Sequence, residues 1–231
     1  MGMIITLRDS SDKSYFKEIM LDLFNKFTVD EVLICSGYFQ EELPYKDKNN
    51  KQQVSTYKAT LDIDSNHQNL VTKLRNVDRI TTVGIKADAG SCWNTSYRNF
   101  VQNLRNSLGT DVVTAYVDKD GSWHAKEMIM LYQGHAVAGI IGSSNFTKAA
   151  YGSYQNQNYN VEADTIIYKL EVDTAMAQLA AALREDGGED SFIIVAPYDA
   201  NLNNGDETDL LDKQYQRVMD MVTDPEKFER I

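Results

Sequence analysis

Between Ser10 and Phe27, apolar residues return at helical spacing: Tyr15, Ile19, Leu23 and Phe27, flanked by Phe16, Met20 and Phe24. The period predicts an amphipathic helix with Ser10 or Ser11 as its N-cap. The pattern then shortens to EVLICSGYF over 31–39, a run of strand formers. A polar stretch over 40–60, carrying Lys46, Lys48, Lys51 and Lys58, reads as an exposed excursion. A helix is predicted at 67–77, a strand at 79–87, and a helix at 96–108 striped by Tyr97, Phe100, Val101, Leu104 and Leu108. Strands follow near 111–117, 123–132, 136–142 and 163–168, then a helix at 172–185. The last part holds an acidic turn at 185–190, a buried-looking strand at 191–198, a polar loop at 199–206 and a helix at 207–222.

Strands alternating with helices predict an α/β/α sandwich around a mixed, largely parallel central sheet. One domain spanning 1–231 is the simplest organisation, with the core at about 30–185 and 190–231 as a C-terminal appendage.

Composition narrows the class. With 42% hydrophobic and 25% charged residues, the chain reads as an ordinary globular protein. No apolar run reaches the length of a membrane span, and the first residues do not form a signal peptide. Cys35 and Cys92 make neither a disulfide framework nor a zinc site, so a reducing cytoplasm is the expected location. The net charge of −11 argues against indiscriminate nucleic-acid binding, but it is unevenly placed. Residues 66–160 carry 9 basic and 6 acidic side chains, whereas 161–231 carry 6 and 17. A locally basic surface around 66–160 is compatible with phosphate binding.

The candidate chemistry lies in SWHAKEMIMLYQGHAVAGIIGSSN, residues 122–145. On a strand, His124 and Lys126 project to the same side, with Ala125 opposite. Taken alone, a His and a Lys two residues apart are weak evidence, since the spacing is common by chance. A hairpin at Gly134 returns the next strand, so that Gly142, Ser143, Ser144 and Asn145 come near the His–Lys pair. Small residues there let a phosphate approach the backbone, and the Asn145 amide is a donor. The same residues are good turn and cap chemistry for a helix beginning at Phe146, whose N-terminus would itself attract an anion. Phosphodiester cleavage needs a nucleophile in line with the leaving oxygen and positive or donor groups on the equatorial oxygens. No Asp/Glu cluster of metal-ligand spacing adjoins the motif, whereas Lys126 and Asn145 do.

His124-x-Lys126, an apolar strand and then Gly142-Ser143-x-Asn145-Phe146-Thr147 resembles the phospholipase D superfamily, above all its small bacterial nucleases and metal-independent restriction endonucleases. The resemblance spans roughly residues 30–170 and is specific at 124–147. It implies a metal- and cofactor-free phosphodiesterase, most simply an endonuclease on DNA rather than RNA. His124 would be the nucleophile or general acid, and Lys126, Ser143, Ser144 and Asn145 would form the phosphate pocket. From NYNVEAD, which supplies Asn160 and Glu162, Glu162 would buttress His124. The full family motif would place an Asp where Leu131 stands, a departure that argues against the lipid-hydrolysing branch.

Superfamily enzymes pair two such sites, and neither His67 nor His135 is followed by a Lys two residues on. The resemblance therefore implies a homodimer whose two chains share one active site, with no membrane association. Target recognition would fall to a separate recognition or regulatory protein, or the enzyme would be nonspecific and restrained. Trp93, Tyr97 and Trp123 are candidates for base stacking, although aromatic residues beside strands are ordinarily core. The rival readings are a lipid or nucleotide phosphodiesterase, and a catalytically silent binding module with the same fold.

Overall fold

The spacing of Tyr15, Ile19 and Leu23 aligns them on one stripe, which is how a helix covers a sheet. The computed structural model describes residues 2–8, 15–64, 66–85, 92–152, 161–186, 192–203, 205 and 207–231. Ser10, Ser11 and Asn160 lie outside the described residues. The chain opens with a strand that local pattern did not predict, β1 (Gly2–Arg8), followed by helix α1 (Tyr15–Lys26) and β2 (Glu31–Cys35). A small hairpin of β3 (Pro44–Lys46) and β4 (Gln52–Val54) leads to α2 (Leu70–Leu74), β5 (Arg79–Ile85), α3 (Cys92–Leu108) and β6 (Val113–Asp118). Next come β7 (Glu127–Tyr132), β8 (His135–Gly142), β9 (Glu162–Tyr168) and α4 (Asp173–Asp186). The chain ends with β10 (Phe192–Pro197), the short α5 (Ala200–Asn203), α6 (Glu207–Val222) and β11 (Phe228–Arg230).

Nine strands form one sheet in the order β10-β1-β9-β8-β7-β2-β5-β6-β11. Period-two alternation divides each strand between two cores. Val32 and Ile34 of β2 join the cluster that holds residues of α1 to α4, while Leu33 and Cys35 join the cluster under Leu211, Val218 and Val222 of α6. Helices thus cover both faces, as the α/β/α reading expects. The sheet is mixed, but its parallel part is confined to β2-β5-β6, and every other neighbouring pair is antiparallel. β7 and β8 pair antiparallel because a tight turn joins them directly. At the β7–β8 turn, Gln133 (φ 54°) and Gly134 (φ 79°) supply the two left-handed residues that a tight hairpin turn requires.

The expected appendage at 190–231 is built into the sheet at both ends. β10 pairs with β1, and β11 pairs with β6. α6 is tied down by the Tyr215 hydroxyl donating to Glu31 and by Ala136 N donating to Asp212 Oδ1 at 2.6 Å. The strand at 192–197 is not buried as its apolar sequence suggested, because it is an edge strand. Ile193 is buried, whereas Phe192 and Ile194 are 60% and 45% exposed. The 40–60 excursion is likewise only half exposed: Tyr57, Ala59 and Thr60 are buried, and Lys58 pairs with Glu42.

Candidate active site

Four chain segments meet at one edge of the sheet: the end of β2, the approach to β7, the end of β8 and the start of β9. Register brings them there. Cys35 lies opposite Glu127, Glu127 opposite Ile141, and Gly142 opposite Asp164. The ladder extends one step beyond the strands, with Gly142 N donating to Lys126 O at 3.0 Å. Residues 122–126 themselves precede β7 rather than lie in it, so the strand expected over 123–132 begins at Glu127. Buried Asp118 organises this approach, accepting from Trp123 N at 2.7 Å and from the Ser122 hydroxyl at 3.2 Å.

His124 is exposed, and among the described residues its imidazole has no hydrogen-bond partner. Lys126 Nζ folds back onto the His124 carbonyl oxygen at 2.8 Å. Partial burial pulls the Lys126 pKa down, and the nearby charge of Glu162 opposes that shift. Asn145 Oδ1 accepts from the Ser36 hydroxyl at 3.1 Å and from Tyr38 N at 3.0 Å. With its oxygen thus occupied, the amide is turned so that its N–H groups remain as donors. Gly37 lies beside both Asn145 and Lys126. A Cβ there would stand 3.4 Å from Asn145 Oδ1 and 3.6 Å from Lys126 Nζ. Lys126 Nζ and Asn145 Oδ1 thus both come beside Gly37, with exposed His124 two residues before Lys126.

The two serines divide. Ser143 donates to Glu162 and accepts from Ala163 N at 2.8 Å, so the buried Glu162 carboxylate is held by Ser143 and makes no bond to His124. Ser144 does not line the pocket. It is 2% exposed and gives its N–H (3.1 Å) and hydroxyl (2.6 Å) to the buried carboxylate of Asp164. Burial pushes the Asp164 pKa up while these bonds and Arg8 pull it down, so Ser144 serves a buried acid rather than a ligand. Gly142 is needed for this packing, because a Cβ there would fall 2.1 Å from Asp164 Oδ1 and 2.6 Å from Ala163 O.

The helix expected from Phe146 is a single turn, with Tyr151 N bonded to Thr147 O at 2.7 Å and Gly152 N to Lys148 O at 3.2 Å. Phe146 is instead held beside Phe39, with Gln40 N donating to Phe146 O at 2.8 Å, and no helix N-terminus forms there. Leu131 sits fully buried at the far end of β7, away from this edge. Tyr97 and Trp123 are buried core residues, whereas Trp93 is only half-buried. Sequence reasoning missed Ser36, Tyr38, Asp118 and Asp164. Only the small pair Ser36-Gly37 after an apolar run hinted at a turn there.

Glu127 is buried beside Cys35 and accepts from Gln214 Nε2 at 2.9 Å. Burial pushes its carboxyl pKa up, and the Gln214 and Cys35 hydrogen bonds only partly offset this. A carboxyl with a raised folded-state pKa holds its proton longer in the folded chain than in the unfolded one. Stability then falls as pH rises from the ordinary carboxylate range to the raised value, and levels off above it. Glu127→Gln is expected to flatten this part of the profile and to raise the melting temperature toward neutral pH. Thermal unfolding of both proteins between about pH 4 and 8 checks it; parallel profiles would refute it.

No family model matches the sequence, and no curated protein does. Among solved structures, the chain is similar to yeast tyrosyl-DNA phosphodiesterase at 20% identity and TM-score 0.37, covering 71% of this chain and 31% of that one. It is similar to phosphatidylserine synthase from Haemophilus influenzae Rd KW20 at 11% identity and TM-score 0.41, covering 96% and 47%. NucT from Helicobacter pylori is similar at 10% identity and TM-score 0.39, covering 81% and 98%. The chain thus spans about a third of the yeast protein and about half of the synthase. At identities and TM-scores this low, these likenesses say nothing of this chain's activity.

Proposed function

We propose that this chain is a phospholipase D-like phosphodiesterase, a metal-independent endonuclease for which DNA is favoured over RNA. The observation that supports the reading is that Lys126 Nζ and Asn145 both come beside Gly37, with Lys126 bonded to the carbonyl oxygen of exposed His124. Lys126 and the Asn145 amide hold the non-bridging oxygens as charge builds there in the transition state. A ring nitrogen of His124 attacks phosphorus, the bond to the leaving oxygen breaks, and a phosphohistidine forms. Water then attacks phosphorus, giving its proton back to the group that protonated the leaving oxygen, and the P–N bond breaks to release the imidazole. Glu162, fixed by Ser143, acts on Lys126 through its charge.

The leaving oxygen needs a proton, and among the described residues His124 bonds no other histidine; His135 lies at the start of β8, at the far end of the hairpin. The reading therefore includes a homodimer in which His124 of a second copy is the acid. An open apolar pocket adjoins Ser143 and Glu162, lined by Leu7, Val161 and Phe192, which are 40%, 74% and 60% exposed. Apolar surface continuous with an incomplete site is what a second copy would cover.

Supercoiled plasmid incubated with the protein in excess EDTA tests the chemistry, with nicked and linear products expected. Loss of cutting in EDTA would overturn the metal-independent mechanism. Sedimentation equilibrium at micromolar concentration tests the assembly: wild type is expected as a dimer and Phe192→Glu as a monomer without activity. A monomeric wild type that still cleaves would end the shared-site reading, and a dimeric, active Phe192→Glu would move the interface elsewhere.

A further inference from the structure

Of the nine close aromatic pairs among the described residues, eight consist of two buried rings. The exception is Tyr38 with Trp93, ring centroids 4.8 Å apart and planes tilted by 49°, both rings half-buried. This pair stands at the candidate site. Tyr38 N is the group that donates to Asn145 Oδ1 at 3.0 Å, so its ring begins one residue from the proposed phosphate cradle. On its inner side Tyr38 packs against the core that contains Cys35 and Trp123. Trp93 lies in the first turn of α3, and the turn that follows is bolted to the chain just after Tyr38. Glu41 N donates to the Ser96 hydroxyl at 2.6 Å, and Asn99 donates to Glu41 O at 3.3 Å. The two rings are therefore held by separate rigid elements and gathered at one place without being sealed into the core.

We propose that Tyr38 and Trp93 form a stacking platform for a nucleobase flanking the scissile phosphate. This makes the substrate single-stranded or locally unpaired nucleic acid. The inference rests on the reading that the phosphate is held at Lys126 and Asn145, and extends it to the neighbouring nucleoside. A base in a duplex has both faces covered by its neighbours, whereas an unpaired base offers a free face to an aromatic side chain. A phospholipid headgroup has no such face, so the platform also separates the nuclease reading from its lipid rival. Stacking tolerates any base, which fits a site whose other contacts are to phosphate.

The test measures binding in the His124→Ala background, so that no substrate is consumed. Short oligothymidine is compared by fluorescence anisotropy with an abasic oligonucleotide of the same length and charge. Oligothymidine is expected to bind tighter, and Trp93→Ala to close that gap by weakening it about 5- to 150-fold. Trp93→Phe, which keeps a ring, is expected to retain most of the preference and guards against a folding artefact. Tyr38→Leu is the second probe, expected to act in the same direction as Trp93→Ala. If both oligonucleotides bind equally well to the parent, or if the gap survives Trp93→Ala and Tyr38→Leu, the platform is refuted while the phosphate site stands. If the parent binds neither oligonucleotide and wild type cleaves no plasmid, the nuclease reading and the platform fall together.

Discussion

His124→Ala is expected to lower phosphodiester cleavage by about a thousandfold or more, the scale on which loss of a nucleophile or general acid reduces turnover. The fold should not suffer. His124 is exposed and makes no hydrogen bond among the described residues, and substitutions at such surface positions usually change stability by less than about 0.5 kcal/mol. An unchanged melting temperature with lost plasmid cleavage would therefore locate the effect in chemistry. His135→Ala is the matched control: that side chain is 77% exposed, at the opposite end of the β7–β8 hairpin, and should leave cleavage intact. A mixed dimer makes the experiment sharper. If one site is shared, a dimer with one wild-type and one His124→Ala chain should be almost as inactive as the double variant. Half-maximal activity in the mixed dimer would instead mean two independent sites, and full activity in the variant would remove His124 from the mechanism.

The largest stability effect is expected at Lys17→Ala. Lys17 is fully buried on α1 and its ammonium stands 2.5 Å from Asp62, itself 6% exposed. The ammonium also donates to Ile63 O at 2.6 Å and lies 5.6 Å from the centre of the Tyr151 ring. Removing it leaves the Asp62 carboxylate buried, with Tyr57 at 3.4 Å as its remaining side-chain donor among the described residues. Breaking a buried pair by deleting one partner costs about 3–5 kcal/mol, whereas replacing both partners with apolar residues is often neutral. Lys17→Ala should thus lose about that much in urea unfolding, while Lys17→Met combined with Asp62→Leu should recover most of it. A loss under about 1 kcal/mol, the range of exposed ion pairs, would show that this pair is not buried in solution. The pair also bears on the site. It pins residues 57–63 to α1, and the same excursion meets the turn that follows Asn145 through Gln40 Oε1, which accepts from Lys148 N at 2.8 Å.

That excursion shows where local pattern stops being informative. Residues 40–60 are polar enough to read as a solvated loop, yet Glu41 is fully buried, because Thr60 and Asn103 donate to its carboxylate. Nothing within a few residues of Glu41 announces those partners. β1 presents the same difficulty. Its residues pair with β9 and β10, some 160 and 190 positions further on, and such pairing leaves no periodic mark beyond an apolar run. By contrast, α1, α4, α6 and the β7–β8 hairpin were readable, since helical stripes and a Gln-Gly turn are written within one or two turns of chain.

The same division runs through the candidate site. The sequence by itself determined that His124 and Lys126 stand two residues apart, and that Gly142 to Asn145 follow one hairpin later. It also carried the resemblance that gives those spacings a chemistry. Only the tertiary structure decided how they are used. Ser36, 109 residues from Asn145, fixes the orientation of that amide. Ser143 faces Glu162, while its neighbour Ser144 turns inward to Asp164. Trp93 escapes the core that takes Tyr97 and Trp123. The physical reason is that spacing is set by covalent geometry, which a short stretch contains in full. The direction of a polar side chain is set instead by which buried charge or donor must be satisfied beside it, and those partners arrive only when distant strands pair.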